Sequence, residues 1–193
     1  MSKLNRTNTT AENAAIRDIL KQQGYKSDIG DVLCNLMTYM RNKQWIGACH
    51  ATTAIIYIAL SELGYKPVMC IGEVFSNTVG YFDHSWIELD GKIIDLSCAM
   101  TLSEGRPVNA PVILDVDSLT GKHHTMKYGI YFKGLDKPAN EIVQLPLTTY
   151  LDSYPGEKNE LWKIAEIVLN KKQNIPLLKS AYKDARRKLV QPN

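Results

Sequence analysis

Gly47-Ala48-Cys49-His50-Ala51-Thr52-Thr53-Ala54-Ile55-Ile56-Tyr57-Ile58-Ala59-Leu60 is the stretch from which the rest of the chain can be read. A cysteine follows two small residues and opens an apolar run that ends at Glu62-Leu63-Gly64-Tyr65-Lys66-Pro67. Gly64 suits the position just past a helix C-terminus, and Pro67 cannot continue a helix. The pattern predicts a largely buried helix over 49–63 with Cys49 in its first turn. Unpaired N–H groups and the positive end of the helix dipole favour a thiolate there. The small neighbours at 47 and 48 let a carbonyl approach closely. Just upstream, Gln44 and Trp45 offer an amide and an indole N–H, both hydrogen-bond donors. His50 follows directly, but adjacent residues on a helix do not face each other, so it reads as a poor base for Cys49.

A second stretch, Phe82-Asp83-His84-Ser85-Trp86-Ile87-Glu88-Leu89-Asp90-Gly91-Lys92-Ile93-Ile94-Asp95-Leu96, reads as two strands around a tight turn. Asp90-Gly91 is a strong two-residue hairpin signal. With that turn, Leu89 opposes Lys92 and Glu88 opposes Ile93. His84, Trp86 and Glu88 share one face, and Ser85, Ile87 and Leu89 share the other. Asp95 then lies diagonally near Trp86 and His84. Between Ile94 and Leu96, its carboxylate points to the opposite face from them and needs a partner if that face is buried. The expected triad has Cys49 as nucleophile, His84 as base and Asp95 fixing the His tautomer. Trp86, on the His84 face, would shield the site from water.

The order Cys, His, Asp, carried by Gly47-Ala48-Cys49, by His84-Ser85-Trp86-Ile87-Glu88-Leu89-Asp90-Gly91-Lys92 and by Ile94-Asp95, resembles the transglutaminase-like superfamily of papain-like cysteine enzymes. The resemblance spans about residues 40–100. Where the family often has a proline after the aspartate, this chain has Leu96. The resemblance implies an α+β fold: a papain-like, transglutaminase-like core in which a central helix starting at the cysteine packs on an antiparallel sheet, with extra N- and C-terminal helices. It implies that Gln44, placed a few residues before the nucleophile, helps to bind an oxyanion together with the Cys49 backbone N–H, or that the Trp45 indole does so.

Length and composition set the frame for this reading. A chain of 193 residues with ordinary apolar and charged fractions fits one domain with a normal core. We expect a helical lead over 9–43, a core over 44–135 and C-terminal helices over 157–190. A formal net charge of +3 is too small to argue for a nucleic-acid partner. The four cysteines, Cys34, Cys49, Cys70 and Cys98, have no C-x-x-C spacing, so no zinc site is expected. Cys34 and Cys70 lie in apolar segments and read as buried free thiols. His123-His124 reads as a surface loop without matching ligand spacing. No metal or organic cofactor is implied. The polar N-terminus lacks a signal-peptide core, and no stretch is apolar and long enough to span a bilayer. A reducing cytoplasm is the expected compartment, with no membrane partner.

Along the chain, residues 1–8 read as a loose polar lead, and Thr9-Thr10-Ala11-Glu12 as the capping box of a first helix closing at Gly24. Asp28 to Gly30 read as a turn, and Asp31 as the cap of a second helix striped by Val32, Leu33, Leu36, Met37 and Met40. Strands are expected at 68–74, at the hairpin and at 127–133. Residues 137–156, with three prolines, read as an irregular segment covering one rim of the site. Helices are expected at 157–169 and 177–190, the latter presenting Lys179, Lys183, Arg186, Arg187 and Lys188 to solvent.

Two functions follow from the residues. The first is thiol-dependent acyl transfer: hydrolysis of an amide in a peptide or protein, as in a cysteine peptidase or amidase, or transfer to an amine, as in a transglutaminase. The second is a non-catalytic peptide- or protein-binding domain on the same scaffold, with Trp45, Tyr81, Trp86, Tyr128 and Tyr131 as anchors.

Overall fold

The computed structural model describes residues 3–101 and 107–192. The chain runs through helices α1 (Lys3–Gln22), α2 (Ser27–Lys43) and α3 (Cys49–Glu62), and then strands β1 (Val68–Ser76), β2 (Gly80–Leu89) and β3 (Lys92–Asp95). A 3-10 turn at Ser97–Ala99 leads to β4 (Val112–Ile113), β5 (Val116–Asp117) and β6 (Lys127–Ile130). Helices α4 (Lys137–Gln144), α5 (Leu147–Ser153), α6 (Glu160–Leu169) and α7 (Ile175–Ala181) follow, and the chain closes on β7 (Lys188–Leu189). The architecture is α+β: helices packed against a sheet ordered β5-β4-β3-β2-β1-β6, antiparallel except where β7 joins β1 in parallel.

The helix that begins at Cys49 is apolar almost all round, as a central helix must be. Ala54, Ile55, Ile58, Ala59 and Leu60 are wholly buried. Their neighbours are Ile16 and Leu20 of α1, the Val32, Leu33, Leu36, Met37 and Met40 stripe of α2, and Leu161, Ile164 and Val168 of α6. Met69, Ile87, Leu89 and Ile94 close the core from the sheet. Helix α3 ends as its sequence requires, with Gly64 at φ +87° just beyond Leu63.

The hairpin register is the one expected, Leu89 opposite Lys92 and Glu88 opposite Ile93. Period-two alternation therefore puts Cys70, Val74 and Trp86 on the sheet face away from α3, where they form a second apolar cluster with Cys98, Val112 and Met126.

Several expected boundaries are corrected. From Lys3 the chain is already helical, so Thr9-Thr10-Ala11-Glu12 lies inside α1 and caps nothing; residues 1 and 2 lie outside the described residues. Asp28 to Gly30 form the first turn of α2, where Asp28 sits in the favourable N-terminal position. The segment 137–156 is not irregular. It holds α4 and α5, with Pro138 near the start of one and Pro146 capping the other, where a missing N–H costs nothing.

The largest correction is at the C-terminus. Helix α7 stops at Ala181, and the basic segment after it is extended rather than helical. Lys188 and Leu189 pair with Cys70 and Ile71, and the Val190 N–H donates to the Ile71 carbonyl at 2.8 Å. The open edge of β1 supplies hydrogen bonds that an isolated helical end could not match. This strap lies close over two glycines: a Cβ on Gly72 would overlap the Val190 carbonyl oxygen, and one on Gly129 would overlap the Val190 side chain. Gly72→Ala should therefore cost about 1–3 kcal/mol by overpacking. Urea denaturation checks this, and an unchanged midpoint would show that the strap is not seated on β1.

Candidate active site

Cys49 opens α3 behind Ala48, which has no side chain to cap the helix. The first N–H groups of the helix therefore face the thiol side unclaimed by a capping side chain. The loop is anchored from the other side of the site. The Gly47 N–H donates to the Met100 carbonyl at 2.9 Å, tying the cysteine loop to the segment that follows Asp95. Cys49 is half-buried, whereas the other three cysteines are buried, and all four are free thiols.

His84 and Asp95 meet as the hairpin register requires. The His84 Nε2 donates to Asp95 Oδ2 at 2.7 Å, with both side chains almost wholly buried. Asp95 Oδ1 accepts from the Ser97 N–H at 2.9 Å, the Cys98 N–H at 3.1 Å and the Ser97 hydroxyl at 2.8 Å. The Tyr128 hydroxyl, from β6, donates to Asp95 Oδ2 at 2.9 Å. This ring of donors explains why strand β3 stops at Asp95: the carboxylate caps the turn that follows. Burial would raise the Asp95 pKa, but the His84 charge and the donated hydrogen bonds hold it below the usual carboxylate range.

With Nε2 committed to Asp95, Nδ1 is the His84 nitrogen left for the sulfur. The Cys49 thiol is coupled by charge and hydrogen bonding to two imidazoles, His50 and His84. Burial pushes the thiol up, and these two rings outweigh it, bringing Cys49 down to about 5. Burial pushes His84 down, and the Asp95 and Cys49 charges outweigh it, raising His84 to about 10. The other thiols move the opposite way: burial lifts Cys34 to about 11 and Cys70 to about 12 and drives Cys98 well above its ordinary value. The two shifts favour a thiolate at Cys49 and an imidazolium at His84, whereas burial favours the neutral thiol at Cys34, Cys70 and Cys98.

His50 differs from its expected role. Its Nδ1 lies 2.7 Å from the Ser85 hydroxyl, on the α3 side of β2, and its ring acts on Cys49 directly. Arg187, expected on a solvated helix face, is also corrected. It is 5 % exposed rather than solvated, donates from Nη2 to the His50 carbonyl at 3.2 Å, and lies 4.2 Å over the Tyr150 ring. Ser97 and Tyr128 carried no sequence signal for their part in the site.

The expected oxyanion and shielding residues fall in three places. Gln44 is exposed in a left-handed position at the end of α2 and lines a cleft with Ile46 and Met100. The Trp45 indole N–H donates to the Tyr154 hydroxyl at 3.1 Å. Trp86 is 1 % exposed and leaves no surface for a ligand; its ring packs against that of Tyr128. Asp83, next to His84 in sequence, accepts from the Asp136 N–H at 2.8 Å.

His123-His124 does have a carboxylate beside it. Asp115, His123 and His124 bring one ligand atom each within 4.8 Å of one another, the one such group of three among the described residues. No helix is long and apolar enough to cross a membrane among the described residues.

Comparison with known proteins finds no matching family model, no matching curated protein and no matching solved structure.

Asp95→Asn should lower the His84 pKa from about 10 towards the ordinary imidazole value. The alkaline limit of the thiolate–imidazolium pair should fall with it, read by NMR titration of the His84 ring. An unmoved titration would show that the carboxylate does not govern the ring.

Proposed function

We propose that the protein is a thiol-dependent acyl-transfer enzyme built on a papain-like, transglutaminase-like core. The observation that carries this reading is the half-buried Cys49 at an uncapped helix start, set against a His84 whose far nitrogen is held by a buried carboxylate. In the proposed reaction, the Cys49 thiolate attacks the carbonyl of an amide in a peptide or protein. An S–C bond forms, and the oxyanion is met by the Cys49 N–H. As the C–N bond breaks, the His84 imidazolium gives its Nδ1 proton to the departing amine, leaving a thioester. Neutral His84 then takes a proton from water, which attacks the thioester and releases the acid and the thiolate. Asp95 stays ionised throughout and fixes the ring. Water is the simplest acceptor, because an amine acceptor needs a site of its own.

Both proton states that the cycle needs coexist where Cys49 is ionised and His84 is protonated, between about 5 and about 10. At neutral pH, iodoacetamide should modify Cys49 at least about tenfold faster than Cys34, Cys70 or Cys98, because only Cys49 is ionised there. Peptide mapping after a short pulse reads this directly. The rate at Cys49 should rise as pH climbs through about 5 and stay level to neutrality. His84→Ala should shift that rise towards the ordinary thiol range, and Cys49→Ala should abolish acyl-enzyme trapping against a peptide library. Equal labelling of all four cysteines would remove the proposal.

A further inference from the structure

Asp115, His123 and His124 form a cluster that the proposed cycle leaves unused. Strands β4 and β5 meet at a two-residue turn, Leu114-Asp115, with the two residues left-handed at φ +51° and +69°, as a tight hairpin demands. The Asp115 N–H donates to the Ile93 carbonyl at 3.1 Å, and Asp115 Oδ1 accepts from the Ile93 N–H at 2.9 Å, so β3 fixes this residue in place. The chain then turns back on itself: the Asp117 N–H donates to the Lys122 carbonyl at 2.8 Å, and the His124 N–H donates to the Asp115 carbonyl at 3.0 Å. Val116 and His123 face each other as an antiparallel bridge. Two turns in succession thus return both histidines to the side of Asp115.

Neighbouring residues on an extended strand point to opposite faces. Here the two imidazoles lie together, their centroids 4.8 Å apart and their planes 34° from parallel. One ligand atom from each of the three residues lies within 4.8 Å of the other two. The Nδ1–H of His123 donates to the His124 carbonyl at 3.0 Å, which leaves Nε2 with its lone pair, the arrangement of a metal-ligating histidine. His124 Nε2 stands 4.0 Å from Asp115 Oδ1, too far for a hydrogen bond. The His124 side chain is only 6 % exposed, and its Nδ1 is buried with no hydrogen-bond partner among the described residues. The ring is therefore buried beside a carboxylate without bonding to it, and a buried polar group left so calls for a specific cause. A cation between the ring and the carboxylate supplies one.

We propose that Asp115, His123 and His124 bind a divalent transition-metal ion of the zinc class, with water completing its coordination. Two imidazoles and one carboxylate suit zinc and its neighbours, whereas magnesium and calcium take oxygen ligands. Zinc holds such ligands at about 2.0–2.1 Å, which sets them about 3.3 Å apart in a tetrahedron. The cluster therefore closes by at most about 1.5 Å on binding, a movement open to the exposed His123 ring. The ion clasps the 115–124 hairpin to the chain entering β6. His124 packs edge-on against Tyr128, with centroids 5.3 Å apart, and the Tyr128 hydroxyl donates to Asp95 at 2.9 Å. The clasp thus lies one ring away from the Asp95 carboxylate, and it does not depend on Cys49 being a nucleophile.

Equilibrium dialysis of the full chain against zinc tests this, after chelator treatment and in a Cys49→Ala background so that the thiol cannot take the ion. That chain should bind one zinc. Two further substitutions are compatible with the fold. His123→Ala alters an exposed side chain, and Asp115→Asn keeps an oxygen for the Ile93 N–H at a left-handed position that asparagine tolerates. Each should weaken zinc binding at least about tenfold. Zinc should also raise the thermal midpoint of the Cys49→Ala chain, and at the same zinc concentration it should leave the midpoint of the chain that also carries His123→Ala unmoved. Failure of the Cys49→Ala chain to bind zinc overturns the proposal, as does undiminished binding by either further variant. Binding by the wild type that vanishes in Cys49→Ala places the ion on the thiol instead and overturns it equally.

Discussion

The pairing of His84 with Asp95 is the interaction on which the rest of the site depends. Both side chains are buried, and taking two such groups out of water is favourable only when their remaining lone pairs and protons are satisfied. Asp95 meets that condition with two backbone N–H groups, a serine hydroxyl and a tyrosine hydroxyl in addition to the imidazole. Removing one partner from such a pair typically costs about 3–5 kcal/mol, because the other charge is left buried alone. The same contacts end β3, turn the chain through the 3-10 segment, and bring Met100 to where its carbonyl holds Gly47. The carboxylate therefore fixes the imidazole and, through the chain that follows it, the position of the thiol.

The second organising contact is the C-terminal strap. An open β1 edge draws in residues 188–190, and the close approach of Val190 requires glycine at 72 and 129. The chain leading into that edge pairs the Ala185 carbonyl with the Leu147 N–H of α5, and it delivers Arg187 to the His50 carbonyl. Helix α5 contributes Tyr150 beneath the guanidinium, and Tyr154 just beyond it takes the Trp45 indole proton. Elements far from Cys49 in sequence thus reach the start of its helix through the Arg187–His50 contact.

Much of this was legible in the sequence where one local rule decided the outcome. Asp90-Gly91 set the hairpin register, and the register alone brought Asp95 to His84. Gly64 and Pro67 fixed the end of α3, and with it the place of Cys49 at the start. The α2 stripe followed from helical spacing. The failures lie where tertiary contact overrode local pattern. The segment Arg186-Arg187-Lys188 reads as a solvated helix face until the β1 edge, more than a hundred positions earlier in the chain, pairs with Lys188 and Leu189. Thr9-Thr10-Ala11-Glu12 has the letters of a capping box, yet helix continues on both sides of it. Ser97, Tyr128 and Tyr150 are ordinary residues whose roles come from what the sheet and α5 place beside them. His50 is drawn into the site by a tertiary contact, its Nδ1 against the Ser85 hydroxyl of β2, which its place next to Cys49 does not reveal.

The measurement that reaches the central claim most directly is the ultraviolet absorbance of thiolate, titrated for the wild type and for Cys49→Ala. The wild type should carry one more thiolate than the variant at neutral pH, and this difference should appear as pH rises through about 5. A difference that emerges only in the alkaline range of ordinary thiols would mean that Cys49 is neutral, unpaired with His84, and not the nucleophile described here.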